Sequence, residues 1–393
     1  MSSCKILIVN PFDKLPGENF RDQRYTKIYE SLCHLGEDVH WWSMDFHHWS
    51  HSPRFSDKFN GNIRLFSVPK YKSNISLKRF FCYFWFSLKV YRELTKLEEP
   101  PEYIITLPVP ELIFLLAKFC KSRNVKLIID ITDVWPDLYV RAFPKKLMWL
   151  GEILVKPFHW MANYAYKYSY HITAVSKTYR DEISDRSGVK NKKSSYFYLG
   201  APQLTIDLDS KPIDMVNVIF VGQFEFSYDL TIIMQTALRS QNEGLKIRFF
   251  LAGRGSKMSF IEQFIKSNSL DNVELLGWLN SKDLMSIASR CHIGLNCYNS
   301  FATQSIPTKY FDYMSMGLVV LNSLEGEMAD LIRSDASGLT YRANNVEDFY
   351  EKLLFLSSDI EKLKIEGVNN RHNFEKNYSF SKIYGRMVSL LFE

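Results

Sequence analysis

The segment from Gln304 to Val320 combines residue types that could bind a charged ligand rich in hydroxyl groups. Pro307 precedes a run of helix formers, Gly317 ends it and an apolar stretch follows, which predicts a loop, a helix, a turn and a strand. The unpaired amides at such a helix start, the helix dipole and the cation Lys309 together favour a diphosphate. Asp312, one turn further, could accept hydrogen bonds from sugar hydroxyls. A capped surface helix with both charged side chains in solvent is the alternative.

Polar residues and glycines also follow three predicted strands in the second half of the chain. Ligands of parallel α/β sheets generally bind beyond the carboxyl ends of the strands. The residues in question are Gly222, Gln223, Arg254, Gly277 and Trp278. Taken alone, the Gly-x-Gly pattern around Arg254 is equally consistent with a plain turn.

A polar loop that is broken by proline closes a buried strand in the first half. It carries Asp133, Trp135 and Asp137. Either carboxylate could position or deprotonate an acceptor hydroxyl, and the indole of Trp135 could stack on a sugar. An Asx-type turn with Trp135 buried in the core is the alternative.

Short apolar runs alternate with longer helical patterns along the chain, which predicts parallel sheets covered by helices on both faces. The expected strands of the first half are Lys5–Asn10, Asp38–Trp42, Ile63–Phe66, Tyr103–Leu107, Lys126–Ile131, His171–Val175 and Ser194–Tyr198. Those of the second half are Val218–Val221, Lys246–Ala252, Val273–Leu276, Ile293–Leu295 and Leu318–Asn322. A final helix is expected from Ser379 to Phe392.

The spacing Gln304-x7-Asp312, followed by Met-Gly-Leu-Val-Val, resembles the E-x7-E signature of the retaining GT-B glycosyltransferases of family 4. In that family the first acid contacts the donor sugar, the amides after it hold the phosphates, and the second acid binds the ribose. This chain departs at both acids, because Gln304 has no charge and Asp312 has a shorter side chain. The resemblance extends in the same order to the glycine turns of the second half and to the D-x-W-P loop of the first.

The resemblance implies a role for each candidate residue. Asp133 and Gln304 are the expected catalytic residues. The expected donor-binding residues are Gly222, Gln223, Arg254, Gly277, Trp278, Ser305, Ile306, Pro307, Thr308, Lys309 and Asp312. The family often has Arg and Lys after the first glycine turn, where this chain has neither, so Arg254 and Lys309 are the expected substitutes. The acceptor or phosphate loops are expected to use Gly17, Arg21, Trp135 and Asp137.

The expected fold is therefore α/β of the GT-B type, with two Rossmann-like, doubly wound parallel-sheet domains that face a central cleft. An acceptor domain spans residues 1–200, and a linker without periodicity spans 201–216. A nucleotide-sugar domain spans 217–375, and the helix in 376–393 packs back on the first domain. The resemblance also implies retention of anomeric configuration, no cofactor and no metal. The expected partners are a nucleotide-sugar donor and a lipid-linked or oligosaccharide acceptor of surface polysaccharide assembly.

Basic and large aromatic residues alternate in two segments that are expected to be helical, Lys78–Arg92 and Lys145–Trp160. The first 200 residues carry 30 Lys and Arg against 20 Asp and Glu, whereas the rest carries 19 against 23. Basic amphipathic helices with Trp and Phe bind the interface of anionic membranes. We therefore expect peripheral contact with the inner membrane surface. Buried rings with a solvated lysine face are the alternative.

Several classes of protein are disfavoured by composition. The six cysteines show no metal-ligand spacing, which favours reduced thiols and a cytoplasmic protein. No signal peptide, membrane span or nucleic-acid motif is expected. His47, His48 and His51 lack an acidic partner at helical spacing, so we expect a solvated loop there and no metal site.

Two other functions fit the same architecture. A nucleotide-sugar epimerase would need acid–base groups but no acceptor and no basic aromatic helices. A non-catalytic partner of a glycosyltransferase complex would explain Gln304. Donor hydrolysis distinguishes an enzyme from an inactive subunit.

Overall fold

The computed structural model describes residues 4–392 except for 49, 56–58, 60–61, 72–75, 143–144 and 190–192. The chain forms two compact units. Unit 1 consists of Met1–Tyr198 together with Tyr384–Glu393, and unit 2 consists of Leu199–Ile383. Among the described helices, none combines the length and the apolar character that crossing a bilayer requires.

Unit 1 is built on a seven-stranded parallel sheet in the order β3-β2-β1-β4-β5-β6-β7. Its strands are β1 (Ile6–Val9), β2 (Val39–Met44), β3 (Ile63–Phe66), β4 (Tyr103–Thr106), β5 (Lys126–Ile131), β6 (His171–Ala174) and β7 (Ser194–Tyr196). Its helices are α1 (Arg24–His34), α2 (Leu77–Thr95), α3 (Pro110–Arg123), α4 (Met148–Tyr168) and α5 (Lys177–Ser187). Short 3-10 helices lie at Asp137–Ala142 and Lys145–Leu147. Strands β1, β4 and β6 are buried along their whole length, as expected when helices cover both faces.

A buried ion pair joins distant parts of unit 1. The guanidinium of Arg24, at the start of α1, donates to both carboxylate oxygens of Asp130 on β5, at 2.7 and 2.9 Å. It also donates to the carbonyl oxygen of Phe197 at 2.8 Å and lies 5.8 Å from the ring centroid of Tyr384. The carboxylate of Asp130, near the end of β5, therefore has a structural role in holding α1 against the sheet.

Unit 2 is built on a six-stranded parallel sheet in the order β10-β9-β8-β11-β12-β13. Its strands are β8 (Val216–Gln223), β9 (Ile247–Arg254), β10 (Val273–Gly277), β11 (Ile293–Asn296), β12 (Val319–Asn322) and β13 (Gly338–Thr340). Its helices are α6 (Leu230–Asn242), α7 (Met258–Ser267), α8 (Ser281–Ala288), α9 (Thr308–Ser315), α10 (Glu327–Asp335), α11 (Val346–Ser357) and α12 (Ile360–Asn377). The last helix, α13 (Phe380–Phe392), begins in unit 2 and ends in unit 1, where the ring of Phe392 packs against Tyr103.

The strand order of unit 2 reverses between β8 and β11, which makes this gap a topological switch point. The two strands pair only at Val218 with Ile293 and at Ile219 with Gly294. Beyond that pairing, the hydroxyl of Tyr313 on α9 accepts from the amide of Val221 and donates to the carbonyl oxygen of Leu295, both at 3.0 Å. A side chain therefore replaces the missing strand pairing.

The segment between β7 and β8, predicted as a linker, is packed on unit 2. The amine of Lys211 donates to the carbonyl oxygen of Gly317, and Arg371 donates to that of Leu204 at 2.5 Å. The imidazole of His292 contacts the carbonyl oxygen of Pro212 at 3.0 Å. The segment contains no helix or strand, but side chains of unit 2 hold its backbone in place.

The predicted fold class, two parallel-sheet α/β domains, is confirmed. Each predicted strand coincides with an observed one to within a few residues at either end, and the helix after Pro307 ends at Ser315 as expected. Strand β13 was missed because Gly338–Thr340 is too short to show a pattern.

We expect Tyr313→Phe to lower the free energy of unfolding by about 1–3 kcal/mol, because the buried carbonyl of Leu295 loses its donor. Denaturant unfolding of the whole chain measures the change. Tyr196→Phe is the control, since the side chain of Tyr196 is 37% exposed. Equal stability of the two variants would show that the hydroxyl does not bridge the gap.

Candidate functional site

The carboxyl ends of the central strands of unit 2 bring predicted donor-binding residues together. Strands β8 and β9 stay paired to their ends, where Gly222 faces Gly253 and Gln223 faces Arg254. A Cβ atom on Gly253 would lie 1.8 Å from the carbonyl oxygen of Gly222, so this approach requires glycine. The side chains of Gln223 and Arg254 are exposed beside it.

Two large rings are exposed in loops that follow strands of this sheet. Gly277 ends β10, and Trp278 follows it with 67% of its surface exposed. Phe226, in the loop after β8, is 71% exposed, and sequence reasoning missed it. Rings of this kind can stack on a planar group of a ligand.

Helix α9 begins in an extended segment with the expected composition. Pro307 is its N-cap, and Thr308 is its first residue. Pro307 itself makes no side-chain capping hydrogen bond, and the amides of the first turn of a helix have no partners within the helix. Ile306 and Pro307 are buried, Ser305 is half-buried and Gln304 is exposed.

The amine of Lys309 lies in a cage of aromatic rings. Its nitrogen is 3.7 Å from the ring centroid of Tyr228, 4.1 Å from that of Phe220 and 5.7 Å from that of Tyr298. It occupies the space left by the missing side chain of Gly222, where a Cβ atom would lie 2.4 Å from it. The residue as a whole keeps some exposed surface, but the amine itself is buried and has no hydrogen-bond partner among the described residues.

Burial lowers the pKa of Lys309 from 10.5 to about 7. The carboxylate of Asp312 acts in the opposite direction, but more weakly. Ring faces attract a cation, yet they cannot replace the water molecules that an ammonium loses. The alternative in which the side chain of Lys309 lies in solvent is therefore wrong, whereas its donor-binding role stays a prediction.

Asp312 lies one turn after Lys309 on α9 and is half-buried. Its carboxylate favours the charged form of Lys309. The structure thus brings Lys309 against Gly222, with Asp312 one turn further along the same helix. The ribose-binding role of Asp312 stays a prediction.

The rings of the cage were not recognised as site residues from sequence. Tyr228 lies in the loop after β8, where the resemblance led us to look for a basic residue. Tyr298 follows β11, and its ring packs at a tilt against that of Tyr228, with centroids 4.7 Å apart. The two loops are joined by a hydrogen bond from the backbone N–H of Asn299 to the carbonyl oxygen of Ser227, at 3.0 Å. The sequence signal that could have identified the cage is a tyrosine shortly after each of the central strands β8 and β11.

In unit 1, the loop after β5 separates its three candidates. Asp133 is exposed. Trp135 is only 4% exposed and packs edge-on against Tyr139, with centroids 5.0 Å apart, which favours the core alternative over stacking on a sugar. Asp137 forms an ion pair with Arg186 at 2.5 Å, and one of its carboxylate oxygens lies 3.0 Å from Nε2 of His159. Of the three, Asp133 keeps the exposure that a catalytic base needs.

The loop after β1 is held by a buried arginine. Arg54 donates to both carboxylate oxygens of Glu18, each at 2.8 Å, and to the carbonyl oxygen of Asp13 at 2.7 Å. Gly17 beside it has a φ of 88° and open space around it, and Arg21 is exposed. The two predicted residues are therefore presented on an anchored loop.

Two buried carboxyl groups of unit 1 were not predicted. Burial raises the pKa of Asp13, after β1, to about 6. Burial also raises the pKa of Glu111, in the first turn of α3, to about 7. The hydroxyl of Tyr139 lies 3.0 and 3.1 Å from the two carboxylate oxygens of Glu111. Both groups lie after strands that were predicted correctly, but their burial has no sequence signal.

The histidine cluster is not the solvated loop that we expected. His47 and His48 are 2% and 4% exposed. The ring of His47 stacks on Phe20 with centroids 3.9 Å apart, and His48 hydrogen-bonds the hydroxyl of Tyr71. Burial lowers the pKa of His47 to about 4 and that of His48 to about 3. Within the described residues, no group of three His, Cys, Asp or Glu side chains could hold a metal ion.

Helices α2 and α4 of unit 1 meet through Phe80 and Phe158, whose ring centroids are 5.6 Å apart. One side of α2 is core, since Tyr83 and Phe86 are buried. The other side of α2 and the segment 147–160, which includes most of α4, expose large apolar side chains. This apolar face consists of Phe81, Phe84, Trp85, Leu147, Met148, Trp149, Ile153, Leu154 and Trp160. Lys78, Lys146 and Lys156 on the same segments are exposed; the side chain of Lys145 lies outside the described residues.

We expect Lys309→Met to stabilise the protein at pH 7, and this advantage to shrink as pH rises toward 10. Between the folded pKa of about 7 and the ordinary value of 10.5, the unfolded chain binds a proton that the folded chain lacks. Raising pH therefore favours the folded wild type, by up to about 1.4 kcal/mol per pH unit. Below pH 7 the difference should be constant.

Thermal unfolding of both proteins from pH 6 to 10 provides the measurement. Lys266→Met is the matched control, because Lys266 is exposed on α7 and should give a difference that does not depend on pH. A difference between wild type and Lys309→Met that is also independent of pH would show that the amine stays charged.

Comparisons with known proteins support the fold and indicate the family to which unit 2 is similar. Residues 216–359, most of unit 2, match the family model described as glycosyl transferases group 1. An uncharacterized glycosyltransferase of Methanocaldococcus jannaschii is 25% identical over 164 residues, which are 42% of this chain and 44% of that protein. The gpi3 subunit of phosphatidylinositol N-acetylglucosaminyltransferase from Schizosaccharomyces pombe is 24% identical over 167 residues, 42% of this chain and 36% of that protein. The chain thus aligns with less than half of each relative.

The similarity to solved structures covers the chain almost completely. The Anabaena protein HepE in complex with UDP and glucose has a TM-score of 0.65 and 12% identity, with 99% of each chain covered. At this identity the likeness shows the fold alone. The chain has the GT-B fold, and the match of its residues 216–359 to the group 1 model supports a place in the GT-B glycosyltransferase superfamily.

Proposed function

We propose that this chain is a glycosyltransferase that moves a sugar from a nucleotide-sugar donor to a lipid-linked or oligosaccharide acceptor. The observation that carries the proposal is the group of residues at the switch point of unit 2, inside the segment that matches the group 1 model. There Lys309 lies against Gly222 and is followed by Asp312, next to the first amides of α9.

The chemistry of this group suits a nucleoside diphosphate that carries a sugar. Amides of a helix start and an amine neutralise phosphate charge without a metal. The half-buried carboxylate of Asp312 can accept hydrogen bonds from vicinal hydroxyls. HepE, which shares the fold, was solved with UDP and glucose. We therefore place the donor on unit 2 and expect no metal requirement and, from the family resemblance, retention of configuration.

The acceptor is proposed on unit 1, with Asp133 as the base. Asp133 is the more exposed of the two aspartates in its loop. The relative from Schizosaccharomyces pombe is named for transfer to phosphatidylinositol, which favours a lipid-linked acceptor. Assembly of a bacterial surface polysaccharide from the cytoplasm is the biological role that we propose.

The apolar face of α2 and α4 is proposed to contact the inner surface of the cell membrane. Its three exposed tryptophans, Trp85, Trp149 and Trp160, suit the bilayer interface, and exposed lysines flank them. Each basic residue near an anionic surface contributes about 1 kcal/mol, so several together hold a protein reversibly. A membrane-bound protein would meet a lipid-linked acceptor directly.

A screen of UDP-, GDP-, dTDP- and ADP-sugars tests the proposed activity. We expect one donor to raise the melting temperature and to release its nucleoside diphosphate on incubation, with EDTA present or absent. A non-catalytic subunit, which Gln304 leaves as the second candidate, would bind a donor without releasing nucleotide. An epimerase would change the sugar and keep it on the nucleotide. Activity that only manganese or magnesium restores would contradict the proposed mechanism.

Kinetics of two variants with that donor test the roles in the motif. Asp312→Asn should raise the donor KM about ten- to a hundredfold, because bonds to a charged acceptor contribute about 1.5–3 kcal/mol. Gln304→Glu should keep or improve turnover, because less depends on a neutral, exposed side chain. A donor KM of Asp312→Asn equal to that of wild type would show that the carboxylate does not bind donor.

Flotation with liposomes tests membrane contact. Wild type should float with anionic vesicles, only partly released by high salt, and the triple variant Phe81→Ser, Trp85→Ser, Trp149→Ser should not. Phe355→Ser, which changes a ring that is 62% exposed in unit 2, is the control. If wild type stays with the soluble fraction, the apolar face does not serve as a membrane contact.

A further inference from the structure

The ring cage around Lys309 leaves the hydrogen-bond donors of its amine without acceptors in the part of the chain that the structure describes. An ammonium group has three hydrogen-bond donors. The surrounding groups are Phe220 from β8, Tyr228 from the loop before α6 and Tyr298 after β11, and no acceptor among the described residues takes those donors. The geometry suits an uncharged amine better than a cation.

The titratable groups around the amine do not supply a fixed negative charge on the cage wall. Burial raises the pKa of Cys297 to about 12 and that of Tyr228 above its ordinary value, so both keep their protons at neutral pH. Burial likewise raises the pKa of Tyr298 well above its ordinary value. Asp312, on the same helix as Lys309, is the carboxylate that favours the charged amine, and its effect is smaller than that of burial.

We propose that Lys309 couples donor binding to proton uptake: the amine is neutral in the empty site and becomes an ammonium when a diphosphate binds beside it. The proton comes from solvent, and the bound anion supplies the acceptor that the cage lacks. The site thereby favours ligands with diphosphate charge over nucleosides and nucleoside monophosphates. This inference rests on the proposed donor site.

The direction of the pH dependence follows from the two states of the amine. In the empty site its pKa is about 7, and an anion beside it raises that value toward the ordinary 10.5. Below pH 7 the amine is charged in both states and this group contributes no pH dependence. Above pH 7, binding takes up a proton, so affinity should fall up to about tenfold per pH unit.

Isothermal titration calorimetry measures the proton directly. UDP, GDP, dTDP and ADP are each titrated at pH 8.5 in Bicine and in Tris, whose ionisation enthalpies differ and neither of which is a phosphate. Phosphate groups with a pKa of about 6 stay ionised at pH 8.5, and a neighbouring ammonium lowers that pKa further, so proton uptake on binding is assigned to the amine. We expect uptake close to one proton for wild type with the diphosphate that binds, and less for the matching monophosphate.

Two variants and one control separate the possible results. Lys309→Arg stays charged and should bind with no proton uptake and little change between pH 7.5 and 8.5. Lys309→Met should bind weakly and discriminate less between diphosphate and monophosphate. Lys266→Met, an exposed lysine variant of the same unit, should behave as wild type.

Failure of the inference and failure of the proposed function give different results. If a diphosphate binds to wild type with no proton uptake, or if Lys309→Arg takes up the same proton, the coupling is refuted while the donor site stands. If no nucleoside diphosphate binds to wild type, the donor site and the coupling are both refuted.

Discussion

The candidate site of unit 2 depends on the two hydrogen bonds made by the hydroxyl of Tyr313. The hydroxyl takes one hydrogen bond from β8 and gives one to β11, at the point where the two strands no longer pair. The ring lies where a side chain on Gly294 would be, since a Cβ atom there would come within 2.4 Å of it. Helix α9 is thereby tied to both central strands.

That tie positions the start of α9 and everything on it. Two turns or fewer separate Tyr313 from Pro307, Lys309 and Asp312, so the helix start cannot shift without breaking the bridge. The amine of Lys309 is consequently held against Gly222, where no other residue type would leave room for it. Holding the amine of Lys309 in this position removes it from water, which disfavours its charged form.

The fold could be predicted from sequence because each element has a local signal. The buried strand Ile6–Val9 is a continuous apolar run, and Pro307 and Gly317 mark the two ends of one helix. Strand β13, by contrast, is formed by Gly338–Thr340, and only its neighbour β12 makes it a strand.

The candidate site could be predicted only in part. Residues at strand ends, such as Gly222 and Arg254, follow from the fold, because parallel strands end at one edge. The environment of Lys309 depends on rings from two other loops, and no local pattern encodes that packing. The local sequence around Trp135 likewise does not show whether its ring is buried. Tertiary contacts, such as that with Tyr139, determine its burial.

Unit 1 is discontinuous in sequence, and this affects the order in which it can form. Tyr384 lies beside Arg24, the residue that pairs with Asp130, and the ring of Phe392 packs against Tyr103 on β4. These contacts do not exist until the ribosome has synthesised unit 2 and residues 384–392. During translation, the parts of unit 1 that contact Tyr384 and Phe392 therefore stay uncovered while the whole of unit 2 is synthesised. A nascent chain of this design has a long interval in which binding by a chaperone would protect it.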